Sequence, residues 1–353
     1  MKNSGYMKSE ELYYSALYGG GVYQAADVMV RDPLCVESAR KSPLLKNVLT
    51  GELVFCRQIR LPTLSAWRDC VERILDPPDQ SAILWPVDLL QLSCNQVAGS
   101  GIVDQVYGPN GTPLEAGQGG MVAAFHYAGF DRVVDSFEKL AKAGEKSWKN
   151  GVIREIAVQL VDTIATLNRE GLVYNDFHFS RIFFLNGETL YLDYSNLAQP
   201  RRIRSQSGAG LADGRYPIEF ADPSVIREVV SCVDEQSQNY SLCAMLFYLF
   251  FGQYAYDGRL MAGYADDSAE NHYIKFRDYH KMCVFVFDPS DTSNSLGIFG
   301  DEEPTIALWE EAPEVLRNLF IRTLREGSAM RADGMRRPSA TEWQRCFDGL
   351  GWR

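Results

Sequence analysis

The sequence predicts an α+β chain, on three observations. Apolar runs of strand length, separated by glycine-rich turns, gather before residue 127. Long segments of helical periodicity follow Ser147. Between those helices lies one further pair of β runs joined by Asn186-Gly187, a strong hairpin signal. With 353 residues the chain is long enough for one large or two medium domains.

In order, residues 10–30 read as a strand, a Gly19-Gly20-Gly21 turn and a second strand. Three glycines free the backbone to approach a ligand, with amide N–H groups as anion donors. Residues 31–50 read as a polar connection and Glu52–Ile59 as a strand. Pro62–Leu75 is an amphipathic helix with Trp67, Val71, Ile74 and Leu75 on one side and Glu72 within it. Ile83–Leu90 enters a hairpin whose turn is Gly108–Gly111, and the strand Met121–His126 follows. Ser147–Glu170 is strongly periodic, through Val152, Ile156, Leu160, Ile164 and Leu167, and Gly171 caps it. The hairpin Ile182–Leu185 and Thr189–Leu192 would bring Asp176 and Asp193 to one end of the pair. Two carboxylates placed so can serve a base and a metal ligand, although acidic residues also cap hairpins. Residues 199–217 form an Arg-, Ser- and Gly-rich loop. Tyr240–Gly252 reads as a buried helix, Val284–Asp288 as an apolar run and Leu308–Arg325 as one amphipathic helix.

Composition narrows the function classes. Thirty-five basic residues against 46 acidic give a net charge of −11, which argues against non-specific nucleic-acid binding. The eight cysteines form no C-x-x-C pair and sit in apolar surroundings, as expected of buried free thiols in a reducing cytoplasm. The N-terminus has no apolar signal core, and Tyr240–Phe251 falls short of the ~20 residues that span a bilayer. A soluble cytoplasmic protein is expected.

The segment from Leu172 to Asn196 resembles the catalytic loop and metal-binding motif of protein kinases, H-R-D-x-x-x-x-N then D-F-G. Gly19–Gly21 with Val22-Tyr23-x-Ala25 is similar to the glycine-rich loop, although the G-x-G-x-x-G spacing is absent. Tyr240–Gly252 is similar to the central helix, and Arg336-Arg337-Pro338-Ser339-Ala340-Thr341-Glu342-Trp343 to the C-terminal signature. The closing stretches also resemble bacterial kinase-like proteins encoded beside a phosphatase and a von Willebrand-type partner.

The resemblance implies a two-lobed protein-kinase-like fold: a small antiparallel β lobe over residues 1–127 and a larger, mainly helical lobe over 128–353, hinged near His126. It assigns Asp176 and Asp193 as catalytic, with Asp193 as metal ligand. It assigns Gly19, Gly20, Gly21, Arg57, Glu72, His126 and Arg181 to the ATP site, with Glu72 as the candidate partner of Arg57. Arg337 becomes a structural arginine, with Asp222 in place of the usual glutamate, since Ser224 stands there.

Departures from the motif shape the expected function. Arg57 replaces the phosphate-binding lysine, and a planar guanidinium is no substitute for an ammonium. Arg181 replaces the asparagine that ligates Mg2+, bringing positive charge where an oxygen acceptor belongs. Ser195 replaces the glycine of D-F-G. The expectation is a pseudokinase, a protein-interaction or regulatory scaffold that binds ATP with little dependence on Mg2+. Its partner would be a protein, such as the phosphatase or the von Willebrand-type protein, with no nucleic acid or membrane involved. The alternative is a divergent active Ser/Thr protein kinase, or a kinase-fold enzyme transferring another group from ATP to a protein.

Overall fold

The computed structural model describes residues 12–31, 41–57, 64–76, 83–93, 119–126, 146–174, 177–179, 182–185, 189–193, 197–198, 219–227, 229–230, 233–263, 269–297, 302–331, 334 and 336–353. The chain divides into two compact units. One comprises Met1–Ser136 with Ile182–Ser195, the other Phe137–Arg181 with Asn196–Arg353.

In the first unit, β1 (Leu12–Ser15), β2 (Val22–Arg31), β3 (Lys41–Asn47), β4 (Leu53–Arg57), β6 (Pro86–Ser93) and β7 (Gly119–His126) form a closed barrel in the order β1-β2-β3-β4-β7-β6. Every pairing is antiparallel. Closure comes from β1 meeting β6, with Tyr14 opposite Gln91 and Ser15 opposite Leu90. Ala16 N donates to the Leu89 carbonyl at 2.7 Å, extending that seam. This barrel overturns the expectation of a two-lobed kinase-like fold with a small antiparallel β lobe. An open sheet would leave β1 and β6 as edges with unpaired backbone groups, and here each edge satisfies the other.

Alternate residues of the six strands point inward. Tyr13, Tyr23, Leu45, Val54, Cys56, Leu90, Val122 and Ala124 are buried there as one cluster. Phe55 and Phe125, neighbours on the other face of β4 and β7, stack with centroids 5.3 Å apart. The helix α1 (Leu64–Leu75) buries Cys70 and Ile74, whereas Leu75, expected on the apolar side, is exposed. Residues 31–50, expected as a polar connection, contain β3 instead, with Leu44 and Leu45 buried despite the flanking lysines. The expected turn at Gly108–Gly111 lies outside the described residues, but the strands it would join, β6 and β7, are paired. A separate sheet has the order β5-β10-β9: β5 (Ile83–Leu84) runs parallel to β10 (Thr189–Asp193), which pairs antiparallel with β9 (Ile182–Leu185).

The second unit is mainly helical. Its α2 (Gly151–Arg169) starts at Asn150, whose side chain accepts from Val152 N at 2.9 Å. Ile156, Leu160, Ile164 and Leu167 are buried as the periodicity predicts, but Ile153 rather than Val152 opens the stripe. Gly171 follows with φ 69°, the left-handed turn that ends the helix. The short strand β8 (Val173–Tyr174) then pairs with β11 (Leu197–Ala198). After the short α3 (Pro223–Ile226) comes α4 (Glu235–Phe251), begun by a capping box of Asp234 and Ser237 and closed by Gly252. Ser237 through Phe251 are all buried, as befits a helix apolar on every side.

Against α4 pack α6 (Glu303–Glu310), α7 (Glu314–Leu324) and α9 (Ala340–Gly349), and α5 (Ala269–Met282) and α8 (Glu326–Ala329) complete the helices of this unit among the described residues. The single helix expected over Leu308–Arg325 is two, α6 and α7, because Pro313 cannot continue a helix and restricts the residue before it. The apolar run Val284–Asp288 is irregular, with a turn at Val286–Phe287. Its Phe285 and Phe287 pack against Trp309. Among the described residues, no helix is long and apolar enough to cross a membrane.

Candidate functional site at the barrel mouth

All six strands reach one end of the barrel through two tight hairpins, β1–β2 and β3–β4, and through the end of β7 beside the start of β6. A cavity of about 390 Å³ opens there, lined by Tyr18, Gly19–Gly21, Tyr23, Asn47, Leu49, Thr50, Glu52, Val54, Val87, Asp88 and His126. That volume suits a small ligand. Two groups of expected site residues therefore meet in one place, the three glycines and His126.

The first hairpin is held by Ser15, whose Oγ accepts from Leu17 N at 3.1 Å and Tyr18 N at 2.8 Å. Gly21 is required there: a Cβ on it would lie 2.7 Å from the Ser15 Cβ. The second hairpin is held by Asn47, whose Oδ1 accepts from Leu49 N at 2.9 Å and Thr50 N at 3.1 Å. The first device leads to Asp88. Ser15 Oγ donates to its Oδ1 at 2.8 Å, and Tyr23 Oη donates to its Oδ2 at 2.9 Å. Leu89 N adds a third bond to Oδ1 at 2.7 Å. Tyr23 is also the register partner of Asn47 across β2 and β3. One buried carboxylate thus anchors the first loop, and Tyr23 links it to the strand that leads into the second.

Asp88 is 1 % exposed. Burial raises its pKa above the ordinary aspartate value, against the lowering pull of Ser15, Tyr23 and Leu89. The Tyr23 phenol is raised by burial and by the Asp88 charge. The same two causes raise the Cys56 thiol, so it stays protonated at neutral pH and is no nucleophile. Asp88 has three neutral donors and, among the described residues, no cation.

The other expected site residues are placed as follows. Arg57 is the last residue of β4, in register with Ala123. Glu72 is exposed on α1. Asp193 ends β10 opposite Leu84, in the first unit. Asp176 and Arg181 lie outside the described residues, as does the loop at 199–217. The expected structural arginine forms its pair: Arg337, 2 % exposed, holds Asp222 by Nη1–Oδ2 at 2.7 Å and Nη2–Oδ1 at 3.0 Å. Among the described residues, no group of three or more His, Cys, Asp or Glu side chains is arranged to hold a metal ion.

Sequence reasoning passed over Tyr23, Asn47, Glu52 and Asp88. One signal was available for Asp88. It stands two residues before Leu90 in an apolar strand, so a carboxylate shares the inward face with core leucine. The five described cysteines, Cys56, Cys70, Cys243, Cys283 and Cys346, are free and buried. No family model and no curated protein matches the chain.

Proposed function

We propose that the chain is a regulatory or interaction protein that senses a small molecule in the mouth of its barrel and does not itself transfer phosphate. The observation that carries this reading is the tie of the first mouth hairpin to Asp88 through Ser15 and Tyr23, with Tyr23 paired to Asn47 at the base of the second. A ligand that touches the floor of the cavity acts on the first rim directly and on the second through that pairing, which is what a sensing surface needs. Asp88 is also poorly suited to be a catalytic base, since three donors already engage it.

Two measurements test it. Incubation with γ-labelled ATP, with and without Mg2+, in a heat-inactivated protein extract should leave the label on the nucleotide; label on any protein that depends on the added chain would overturn the reading. A thermal-shift screen of small metabolites should find ligands that raise the melting temperature, because binding to the native state stabilises it.

A further inference from the structure

The barrel mouth discriminates by charge. Its lining among the described residues contributes two carboxylates, Glu52 and Asp88, and no lysine or arginine. Most backbone donors at the rim are engaged within the hairpins, Gly19 N and Gly20 N being the exceptions among the described residues. Leu17 N and Tyr18 N serve Ser15, Leu49 N and Thr50 N serve Asn47, Gly21 N donates to the Tyr18 carbonyl and Gly51 N to the Asn47 carbonyl. A triphosphate would meet like charge with few donors left to receive it.

Asp88 has room for a partner of the opposite sign. A carboxylate offers about four acceptor positions. Oδ1 uses its two on Ser15 and Leu89, and Oδ2 uses one on Tyr23. The fourth, on Oδ2, remains open among the described residues. A buried carboxylate with neutral partners gains strongly from a cation, because the Coulomb attraction is little screened there. Glu52 at the rim adds a second negative charge, and the exposed ring of Tyr18 offers an aromatic face for a cation.

We propose that this cavity binds a small organic cation, a primary ammonium or guanidinium group, seated on Asp88 with Glu52 and Tyr18 at the rim. The proposal rests on reading the barrel mouth as the ligand site and names the class of ligand it takes. The same chemistry could come from a free metabolite or from the arginine or lysine side chain of a protein partner.

The test is calorimetric titration of the full chain at low salt with four probes. These are agmatine, a blocked tripeptide with a central arginine, inorganic phosphate, and ATP with chelator. Agmatine or the peptide should bind saturably and the two anions should not; whichever cation binds more tightly identifies the source. Asp88→Asn should weaken cation binding at least about tenfold, as for a lost charged hydrogen bond. Glu52→Gln should weaken it about threefold, as for an exposed ion pair. Glu52 is on the rim, so its variant tests the proposal even where Asp88→Asn disturbs folding. Absence of saturation by either cation below about 10 mM would overturn the proposal, as would cation binding indifferent to both substitutions. If phosphate or ATP binds and shifts the NMR signals of Tyr18 and His126, the ligand class is wrong while the barrel mouth stands as the site. Labelled phosphate on protein would remove the proposed function itself.

Discussion

Two buried aspartates, one in each unit, are equally hidden and oppositely solved. Asp88 and Asp222 are each 1 % exposed. Asp88 sits among a hydroxyl, a phenol and a backbone amide. Asp222 sits between two guanidiniums: the bidentate Arg337, and Arg331 Nη2 at 2.9 Å, with Ser224 N also donating at 2.9 Å. Burial pushes both carboxyls up. At Asp222 the arginines more than offset burial and hold it below the usual range, while at Asp88 the neutral donors do not. Where this chain uses a buried carboxylate purely as a structural tie, it supplies the cation itself. At the barrel mouth, among the described residues, it leaves that position open.

The comparison is broken most severely by removing a cation from Asp222. Arg337→Ala strips its bidentate partner and also the donors to the Ser328, Ala329 and Gln236 carbonyls. Loss of one member of a buried pair should destabilise the second unit by about 3 kcal/mol or more. Chemical denaturation followed by the fluorescence of Trp343, buried in that unit, measures it. An unchanged midpoint would show that the pair adds nothing.

Asp88→Asn should cost far less, about 1 kcal/mol, because the amide oxygen keeps the bonds from Ser15 and Leu89 N while Tyr23 can turn its hydroxyl to accept from the new amide. Melting of this variant beside Asp222→Asn sharpens the contrast. If the two lose equal stability, the distinction between neutral and charged partners is empty.

Protonation offers a gentler form of the same test. Asp222 and Asp234 have lowered pKa values: burial raises each, but Arg337 and Arg331 prevail at the first and Arg331 with Ser237 at the second. Their stabilisation is complete above the unfolded aspartate pKa of about 3.9 and is lost as pH falls through their folded values. Asp88 has the opposite sign. Its raised pKa makes the folded barrel relatively more stable below the unfolded value, and that advantage fades as pH rises through the folded one. Glu52 and His126 line the same cavity, so the Asp88 share is isolated by difference. Relative to wild type, Asp88→Asn should gain stability as pH is raised from about 4 toward 7. A difference between the two that does not vary with pH would contradict the assignment.

The smallest effect is expected at Ser15→Ala. It removes one bond to Asp88 and frees Leu17 N and Tyr18 N, both near water, for about 1 kcal/mol or less. Faster amide exchange should then appear in the Tyr18–Gly21 turn and leave the Asn47 hairpin unchanged.

Local pattern made several elements legible. Helix α2 shows its periodicity and its Gly171 terminator, α4 is apolar over a full helix length, and the glycine turn declares the first hairpin. Neighbouring residues in sequence decide such features, through propensity, capping and period. The pairing of Arg337 with Asp222 was legible through the resemblance, since both stretches carry signature residues. Pro313 was equally visible, and the periodicity of Leu308–Arg325 masked a break that the proline's missing N–H dictates.

Barrel closure lay beyond the sequence. The contact that decides it joins Ser15 to Asp88 across 73 positions, and a strand's alternation says which face is buried, never which strand lies beside it. The site shares that fate. Composition and period place Tyr23, Glu52 and Asp88 in strands, each defined by its own neighbours, while Asn47 falls in a stretch that reads as a polar connection. Only the closed barrel points them into one cavity, because convergence is a property of how strands wrap around a common interior and not of any stretch of chain.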